Sequence, residues 1–339
     1  MGIRAAGTGG PARRTRRAGA ALLGLVVTLA VAACGGGDDG GGQAEGGDGG
    51  LTPVVVGALP TANTAALNLG VEQGFFEDEG LDVTVEYAQG GATMVTTLVS
   101  GDFDVIGAGY VPAISAMSQG LPLKFVVGGD LGADTDEAEW QTVLVKGDSP
   151  IQTPADLAGK RIAVNAVKGV LEVALRAALD ELGVDSSSIE LVEIPFPDMP
   201  ANLESGNVDA AYAPEPFITS ILDAGGRQVL APPPTIAPGF INGAWETTDQ
   251  FIAEQPEAVD AFVAGMTRAI EYAQENPDEV RRIIPTYTQI PQDVADRIRL
   301  PVFDAELDPA AIEELAQLAV RYEVIETAPA GEDMVYTGD

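Results

Sequence analysis

Histidine is absent from this 339-residue chain, and cysteine occurs once, at Cys34. Histidine general bases, Cys–His pairs, histidine-bound metals and an intrachain disulfide are therefore excluded. Basic residues are also scarce, since 18 Lys and Arg stand against 51 Asp and Glu and give a formal net charge of -33. A charge of this sign repels nucleic acid and anionic membrane surfaces at long range. We therefore expect no nucleic-acid partner, no metal, no cofactor and no catalytic residues.

Long apolar runs are missing after the N-terminal region. One uncharged run covers residues 18–33, which is the length of a signal-peptide core and is short for a membrane span. It follows five arginines: Arg4, Arg13, Arg14, Arg16 and Arg17. No later stretch approaches about 20 uncharged apolar residues, which disfavours a sensory receptor with a membrane span and an intracellular output module. We predict that residues 1–33 are a signal peptide.

The uncharged run ends in VAAC, residues 31–34, which resembles the lipobox of bacterial lipoproteins, where the cysteine is lipidated after cleavage. The segment that follows, GGGDDGGGQAEGGDGG, offers no packing partner for a buried thiol and is typical of a flexible linker. We therefore predict a lipidated Cys34 and a linker over residues 34–52. Lipid would then anchor the exported protein at the outer face of the bacterial cytoplasmic membrane.

Strand and helix patterns alternate along the rest of the chain. The apolar run at 54–59 predicts a strand buried on both faces, the alternation at 81–87 predicts a second strand, and FDVIGAG at 103–109 predicts a third. A second unit of the same kind follows, and amphipathic helices are predicted at 258–277 and 309–324. This order predicts open α/β sheets in two units.

One short segment occurs twice, as LVSGDFDVIGAGY at 98–110 and as LESGNVDAAYAPE at 203–215. In each copy, the end of a helix is followed by a glycine that stops the helix and then by a strand. A loop that leads into the next helix comes directly after the strand. We expect Asp104 and Asp209, at equivalent positions, to fix turns. Ligands collect at the carboxyl ends of strands in open α/β sheets, where helix N-termini point. The repeat therefore predicts two similar lobes facing each other across a cleft.

Four segments together resemble a known family. In chain order they are GVEQGFFEDEGLDV (70–83), LVSGDFDVIGAGYVPAISAMSQGLPLKFV (98–126), SPIQTPADLAGKRIAV (149–164) and PEPF (214–217). They resemble the sulfonate, nitrate and taurine substrate-binding proteins of ABC importers, a family that also includes binders of thiamine pyrimidine precursors. The resemblance covers about residues 53–276.

The resemblance implies a type II periplasmic-binding-protein fold, in which two α/β lobes are joined by two crossing strands with a ligand cleft between them. Lobe I would comprise 53–143 plus 242–339, and lobe II would comprise 144–241. Such a protein is a monomer and not an enzyme, and it delivers a small-molecule solute to an ABC permease. A related fold hosts pyrimidine synthesis in which histidine is central, so an enzyme of that kind is the less favoured alternative.

The candidate ligand-binding residues lie in five loops and beside the crossing strands. They are Thr61, Asn63, Thr64, Gly91, Ala92, Thr93, Tyr110, Trp140, Asn165, Lys168, Glu215 and Trp245. Hydroxyl and amide side chains offer hydrogen bonds, and the free N–H groups of a glycine-rich helix start can approach a ligand. Several have structural alternatives: Thr64 as an N-cap, Tyr110 as packing between the lobes, and Glu215 as a cap or an interlobe hydrogen bond.

The charge pattern leaves the solute open. A sulfonate, taurine or nitrate receptor would hold its anion through helix amides and Lys168, the one cation in these loops. Nearby acids would suit an amine-bearing or heterocyclic ligand, such as a thiamine pyrimidine precursor, equally well; they are Asp130, Asp134, Glu215 and Glu246. In either case we expect the solute to bridge the lobes and stabilise a closed form by hinge rotation.

Overall fold

Two sheets organise residues 50–88 and 90–338, which the computed structural model describes, with backbone only at 91 and 92. Eleven strands occur in this part of the chain: β1 (Thr52–Ala58), β2 (Leu81–Tyr87), β3 (Val105–Gly109), β4 (Leu123–Leu131), β5 (Gln141–Val145), β6 (Arg161–Val164), β7 (Glu190–Glu193), β8 (Ala210–Pro214), β9 (Arg227–Leu230), β10 (Ile241–Thr248) and β11 (Val302–Phe303).

Fourteen α-helices cover the sheets in the same described part. They are α1 (Ala65–Glu72), α2 (Phe75–Asp78), α3 (Gly91–Ser100), α4 (Tyr110–Ser118), α5 (Val170–Glu181), α6 (Met199–Glu204), α7 (Phe217–Asp223), α8 (Pro232–Ile236), α9 (Asp249–Glu254), α10 (Pro256–Glu275), α11 (Pro277–Ile283), α12 (Gln292–Ala295), α13 (Pro309–Arg321) and α14 (Gly331–Met334). Among them, none combines the length and the hydropathy needed to cross a bilayer.

Each sheet belongs to one lobe. The lobe I sheet has the order β11-β4-β10-β3-β1-β2, and the lobe II sheet has the order β7-β6-β8-β5-β9. The strands β1, β2 and β3 run parallel, as do β6, β7 and β8, whereas β10 runs antiparallel to β3 and β4. The chain passes between the sheets twice, at 132–140 and 231–240. Residues 143 and 144, between which sequence analysis placed the lobe boundary, both lie in β5 of the lobe II sheet.

Apolar side chains fill each lobe and continue between the lobes. In lobe I, helices α1, α2 and α10 pack on the sheet, and the Phe76 and Phe262 rings stack with centroids 5.5 Å apart. A second cluster joins Tyr110 and Phe125 of lobe I to lobe II side chains, together with Ile312 and Leu315 of α13. Burying a side chain of this size contributes about 1.5–3 kcal/mol. The lobes therefore meet through apolar contact as well as across a cleft.

The repeated segment makes the same two hydrogen bonds in each lobe. Before β3, Asp104 donates its N–H to Val55 O at 2.9 Å and accepts from Val55 N through Oδ2 at 2.8 Å. Before β8, Asp209 bonds to Arg161 in the same way, at 2.8 and 2.9 Å. Each aspartate thus joins the start of its strand to the neighbouring strand, at the end of the sheet that is opposite the strand carboxyl ends. The repeat serves sheet assembly, as expected for residues that fix turns.

Replacing Asp104 with alanine should lower the free energy of unfolding by about 1–3 kcal/mol, because Val55 N–H loses its acceptor in a partly buried place. Asp102→Ala is the matched control, since this exposed carboxylate accepts only from the Ser100 hydroxyl and should cost about 0.5 kcal/mol or less. Urea denaturation measures both. Equal losses for the two variants would contradict the role of Asp104.

Candidate functional site

A cleft between the two sheets receives the carboxyl ends of four strands. The ends of β1 and β3 reach it from lobe I, and the ends of β6 and β8 reach it from lobe II. Its lining comprises Leu59, Thr61, Asn63, Thr64, Gly107, Ala108, Gly109, Trp140, Gln141, Asn165, Val170, Leu171, Phe196, Pro214 and Asn242. The volume of this closed cleft is about 50 Å³, which is room for a few groups the size of a water molecule.

Three helices begin at the cleft. The lining includes Thr64 and Gly109, which immediately precede α1 and α4, and Val170, the first residue of α5. The first N–H groups of a helix lack intrahelical partners and carry the positive end of the helix dipole. The cleft therefore presents backbone donors from both lobes.

The loop after β1 forms one wall and carries Thr61, Asn63 and Thr64. Thr61 donates from Oγ1 to Asn63 Oδ1 at 2.6 Å, and Thr64 donates from Oγ1 to Leu59 O at 2.6 Å. Thr64 does not cap α1 with its side chain, because its hydroxyl is used inside the loop. These bonds fix the loop and orient the Asn63 amide towards the back of the cleft.

A buried carboxylate stands behind this wall. Asp130, near the end of β4, accepts from Asn63 Nδ2 at 2.8 Å and from Asn242 Nδ2 at 2.6 Å, one amide on each oxygen. Burial raises the pKa of Asp130 to about 6, and the two amide donors limit the rise. The carboxyl is therefore ionised at pH 7.5 although only 3% of the residue is exposed.

Lobe II and the first connection form the opposite wall. Trp140 is buried, lines the cleft and donates from Nε1 to Leu131 O at 3.0 Å. Beside it, the Glu139 carboxylate accepts from Ala133 N at 2.7 Å and from Gln141 N at 2.8 Å. Burial raises the pKa of Glu139 to about 7. This carboxylate holds the connection in shape and does not belong to the lining.

Tyr110 and Lys168 are predicted site residues that lie away from the lining. Tyr110 is the first residue of α4, and its ring packs edge-to-face on Phe125 with centroids 4.8 Å apart, inside the apolar cluster that joins the lobes. Lys168 is exposed, has a left-handed backbone with φ 58°, and lines a separate groove with Ser115 and Ser118. The Lys168 N–H donates to Glu172 Oε2 at 2.6 Å.

Glu215 and Trp245 are both buried and have structural contacts. The Glu215 carboxylate accepts from Thr219 N at 3.0 Å and Thr219 Oγ1 at 2.9 Å, and from Arg299 N at 3.2 Å. The Glu215 carbonyl accepts from Ala62 N at 3.1 Å, which is a backbone bond between the lobes. The Trp245 ring covers Gly107, where a Cβ would lie 2.5 Å from the ring, and so belongs to the lobe I core.

The predicted glycine-rich helix start lies at α3, which begins at Gly91 and contains Ala92 and Thr93. Thr93 is exposed and does not belong to the lining. The preceding Gly90 approaches lobe II, since a Cβ there would lie 4.0 Å from Asn165 O. Cys34 lies outside the described residues.

Polar contacts outside the cleft also join the lobes. Arg297, just after α12, forms a two-bond pair with Asp223 of α7 at 2.7 and 2.8 Å. Tyr322, just after α13, donates to Asp180 Oδ2 of α5 at 3.0 Å. The lobes are therefore closed on each other. Within residues 50–88 and 90–338, no group of three or more His, Cys, Asp or Glu is arranged to hold a metal ion.

Sequence reasoning missed several lining residues, among them Gln141, Phe196 and Asn242. Gln141 and Asn242 lie where the two connections enter their sheets, and Phe196 follows β7. No local motif marks them. Gln141 and Asn242 could have been predicted from their positions beside the connections that cross between the lobes.

A profile of the family described as NMT1/THI5 like matches residues 61–280. Over 209 residues, 60% of this chain, the sequence is 29% identical to the taurine-binding periplasmic protein of Escherichia coli (strain K12). The match spans 61% of that protein, less than two thirds of its length. The formylaminopyrimidine-binding protein of Halalkalibacterium halodurans is 23% identical over 238 residues, 69% of each chain.

The fold also matches a solved structure, the alkanesulfonate-binding protein SsuA from Xanthomonas axonopodis pv. citri bound to MOPS. The TM-score is 0.72 at 19% identity, over 85% of this chain and 99% of that one. The predicted two-lobed periplasmic-binding-protein fold is confirmed, and so is the resemblance carried by the four sequence segments. Since the profile covers well over half of its residues, the chain belongs to the NMT1/THI5-like family.

Proposed function

We propose that this protein is the extracytoplasmic solute receptor of an ABC importer, which captures a small molecule between its lobes and delivers it to a membrane permease. The observation that carries the proposal is a small cleft lined by both lobes, with Asn63 and Thr64 on one side and Asn165 and Gln141 on the other. A solute that bonds to both walls stabilises the closed form over the open one.

A small organic sulfonate of the taurine type is the first candidate solute, because two relatives carry taurine or alkanesulfonate in their names and the starts of α4 and α5 offer donors to an anion. A pyrimidine heterocycle is the second candidate. The rings of Trp140 and Phe196 in the lining favour it, since flat solutes pack on aromatic faces, and one relative is named for formylaminopyrimidine.

Binding, rather than catalysis, fits the side chains in the cleft. Acyl or proton transfer needs a nucleophile or base with a partner that activates it. The chain has no histidine, and the Asp130 carboxylate near the cleft is held by two amides. We propose that the protein works as a monomer without a cofactor.

Replacing Asn165 with alanine should weaken binding of the solute, because it removes a side-chain amide that lobe II contributes to the cleft lining. One lost hydrogen bond corresponds to about 0.5–1.5 kcal/mol, or roughly a two- to tenfold rise in Kd. Calorimetric titration with taurine, propane-1-sulfonate, nitrate and hydroxymethylpyrimidine measures this.

Lys168→Asn is the matched control for that titration. Asparagine tolerates the left-handed backbone at 168, so the change removes the charge and keeps the fold. Since Lys168 lies outside the lining, we expect an unchanged Kd. A loss at Lys168 with none at Asn165 would place the solute elsewhere.

Two stacked tyrosines support the loop that carries Thr61 and Thr64. The rings of Tyr87 and Tyr287 lie 5.6 Å apart at an interplanar angle of 9°. Tyr287 donates from its hydroxyl to Thr61 O at 3.0 Å. Tyr87 donates to Asn68 Oδ1 at 2.8 Å, and Asn68 donates to Thr64 O at 3.0 Å. Both tyrosines therefore hold backbone carbonyls of the cleft wall in place.

Tyr287→Phe should raise Kd by roughly two- to tenfold, because the Thr61 carbonyl loses its donor and the loop is less well positioned. Tyr272→Phe is the control, since this ring packs edge-to-face on Phe75 away from the loop. Titration of both variants with the solute that binds the wild type decides the point. Equal Kd values would mean that the tyrosine pair serves stability alone.

We further propose that residues 1–33 are removed on export and that Cys34 carries the lipid that tethers the receptor to the membrane. Cys34→Ser should move the protein from the detergent phase to the aqueous phase when the producing bacteria are partitioned, because no anchor is attached. Wild-type protein that is found in the aqueous phase would contradict the anchor.

A further inference from the structure

The cleft and its surroundings hold carboxylates without a partnering cation. No lysine or arginine occurs among its described lining residues. Within the described part of the chain, Asp130 forms no salt bridge. The nearby Arg299 guanidinium is occupied, since it donates to Glu139 O at 2.9 Å and to Gln228 Oε1 at 2.7 Å.

A small chamber opens beside Asp130 and shares Asn63, Thr64, Gly107 and Ala108 with the cleft. Its volume is about 10 Å³, which is room for one group the size of a water molecule. An ammonium group has that size.

Glycine at 243 keeps the Asp130 carboxylate accessible. Asp130 Oδ2 is the oxygen that accepts from Asn63. A Cβ at position 243 would lie only 2.8 Å from this oxygen and would obstruct it. Each carboxylate oxygen accepts one amide and retains a second lone pair. The carboxylate can therefore take one more donor from inside the chamber.

The charge at the chamber comes from Asp130. The Glu246 side chain is completely buried, neither of its oxygens has a hydrogen-bond partner among the described residues, and burial raises the pKa of Glu246 well above its ordinary value, which favours the neutral form. The ionised Asp130 carboxylate would repel a bare anion that entered the chamber and would stabilise a cation.

We infer that the chamber is a cation subsite and that Asp130 selects solutes with a positively charged nitrogen. This inference rests on the proposed solute-receptor function and names the class of solute. The nitrogen donates to Asp130, and the acceptor-rich end of the solute faces the helix starts at Thr64, Gly109 and Val170. The chemistry fits the ammonium of an aminoalkanesulfonate or a protonated aminopyrimidine.

Wild-type protein tests the inference through matched solute pairs. Taurine is compared with propane-1-sulfonate, in which a methyl group replaces the ammonium. An aminopyrimidine, 4-amino-5-hydroxymethyl-2-methylpyrimidine, is compared with its 4-hydroxy counterpart, and nitrate is added as a bare anion. We expect the nitrogen-bearing member of one pair to bind at least tenfold more tightly than its partner, and nitrate to bind weakly. The pair that shows this difference identifies the source of the nitrogen.

Asp130→Asn then tests the residue itself. It keeps the size of the side chain and removes the charge, so the amine-bearing solute should lose about 10- to 100-fold in affinity, as for a hydrogen bond to a charged group. Its nitrogen-free partner should be little changed. Asp134→Asn is the matched control, because Asp134 is exposed on the connection that follows β4 and its loss of charge should leave affinity unchanged.

The possible failures are distinct. If neither pair favours its nitrogen-bearing member, if nitrate binds wild type as tightly as that member, or if Asp130→Asn binds the amine normally, the cation subsite is wrong while the receptor function stands. If none of the five solutes binds, the proposed function itself fails for these classes. Should Asp130→Asn unfold, the solute pairs on wild type still decide the matter.

Discussion

Burying the Asp130 carboxylate between three chain segments is the constraint on which the site depends. An ionised carboxylate that loses water costs several kcal/mol unless donors replace the water. Asn63, from the loop after β1, and Asn242, from β10, supply these donors at 2.8 and 2.6 Å. The charge of Asp130 can thus be kept in the closed structure only if that loop, β4 and β10 hold their relative positions. The wall of the cleft is therefore fixed before any solute arrives.

The duplicated segment explains how a chain arrives at two facing walls. Asp104 and Asp209 join strands at one end of each sheet, so that the loops at the opposite end are left to diverge. Those loops collect at the carboxyl ends of the strands, where helix starts provide donors. Repetition of the sheet-building part, combined with variation of the loops, gives the lobes one architecture and the cleft two different walls. The buried carboxylate belongs to lobe I, and the aromatic rings of Trp140 and Phe196 belong to the other wall.

Local patterns were sufficient to predict much of the fold. The runs that became β1 and β2 and the amphipathic periods of α10 and α13 have signals within ten to twenty residues. The site was predicted less completely because its contacts are distant in sequence. Asn242 and Asp130 are 112 positions apart, and no motif links them.

Tyr110 shows a second reason why the site was predicted less completely than the fold. Its place after β3 predicted a cleft position, but as the first residue of α4 it points its ring at Phe125, while the backbone of Gly107 to Gly109 lines the cleft instead. Lys168 was expected beside the ligand for its charge, yet it is exposed and lines a separate groove with Ser115 and Ser118. The cleft lining instead combines backbone, hydroxyl and amide groups with apolar side chains such as Trp140 and Phe196. Exposed ion pairs such as Arg297–Asp223 contribute little to holding the lobes closed, which leaves the balance between open and closed lobes within reach of a single bound solute.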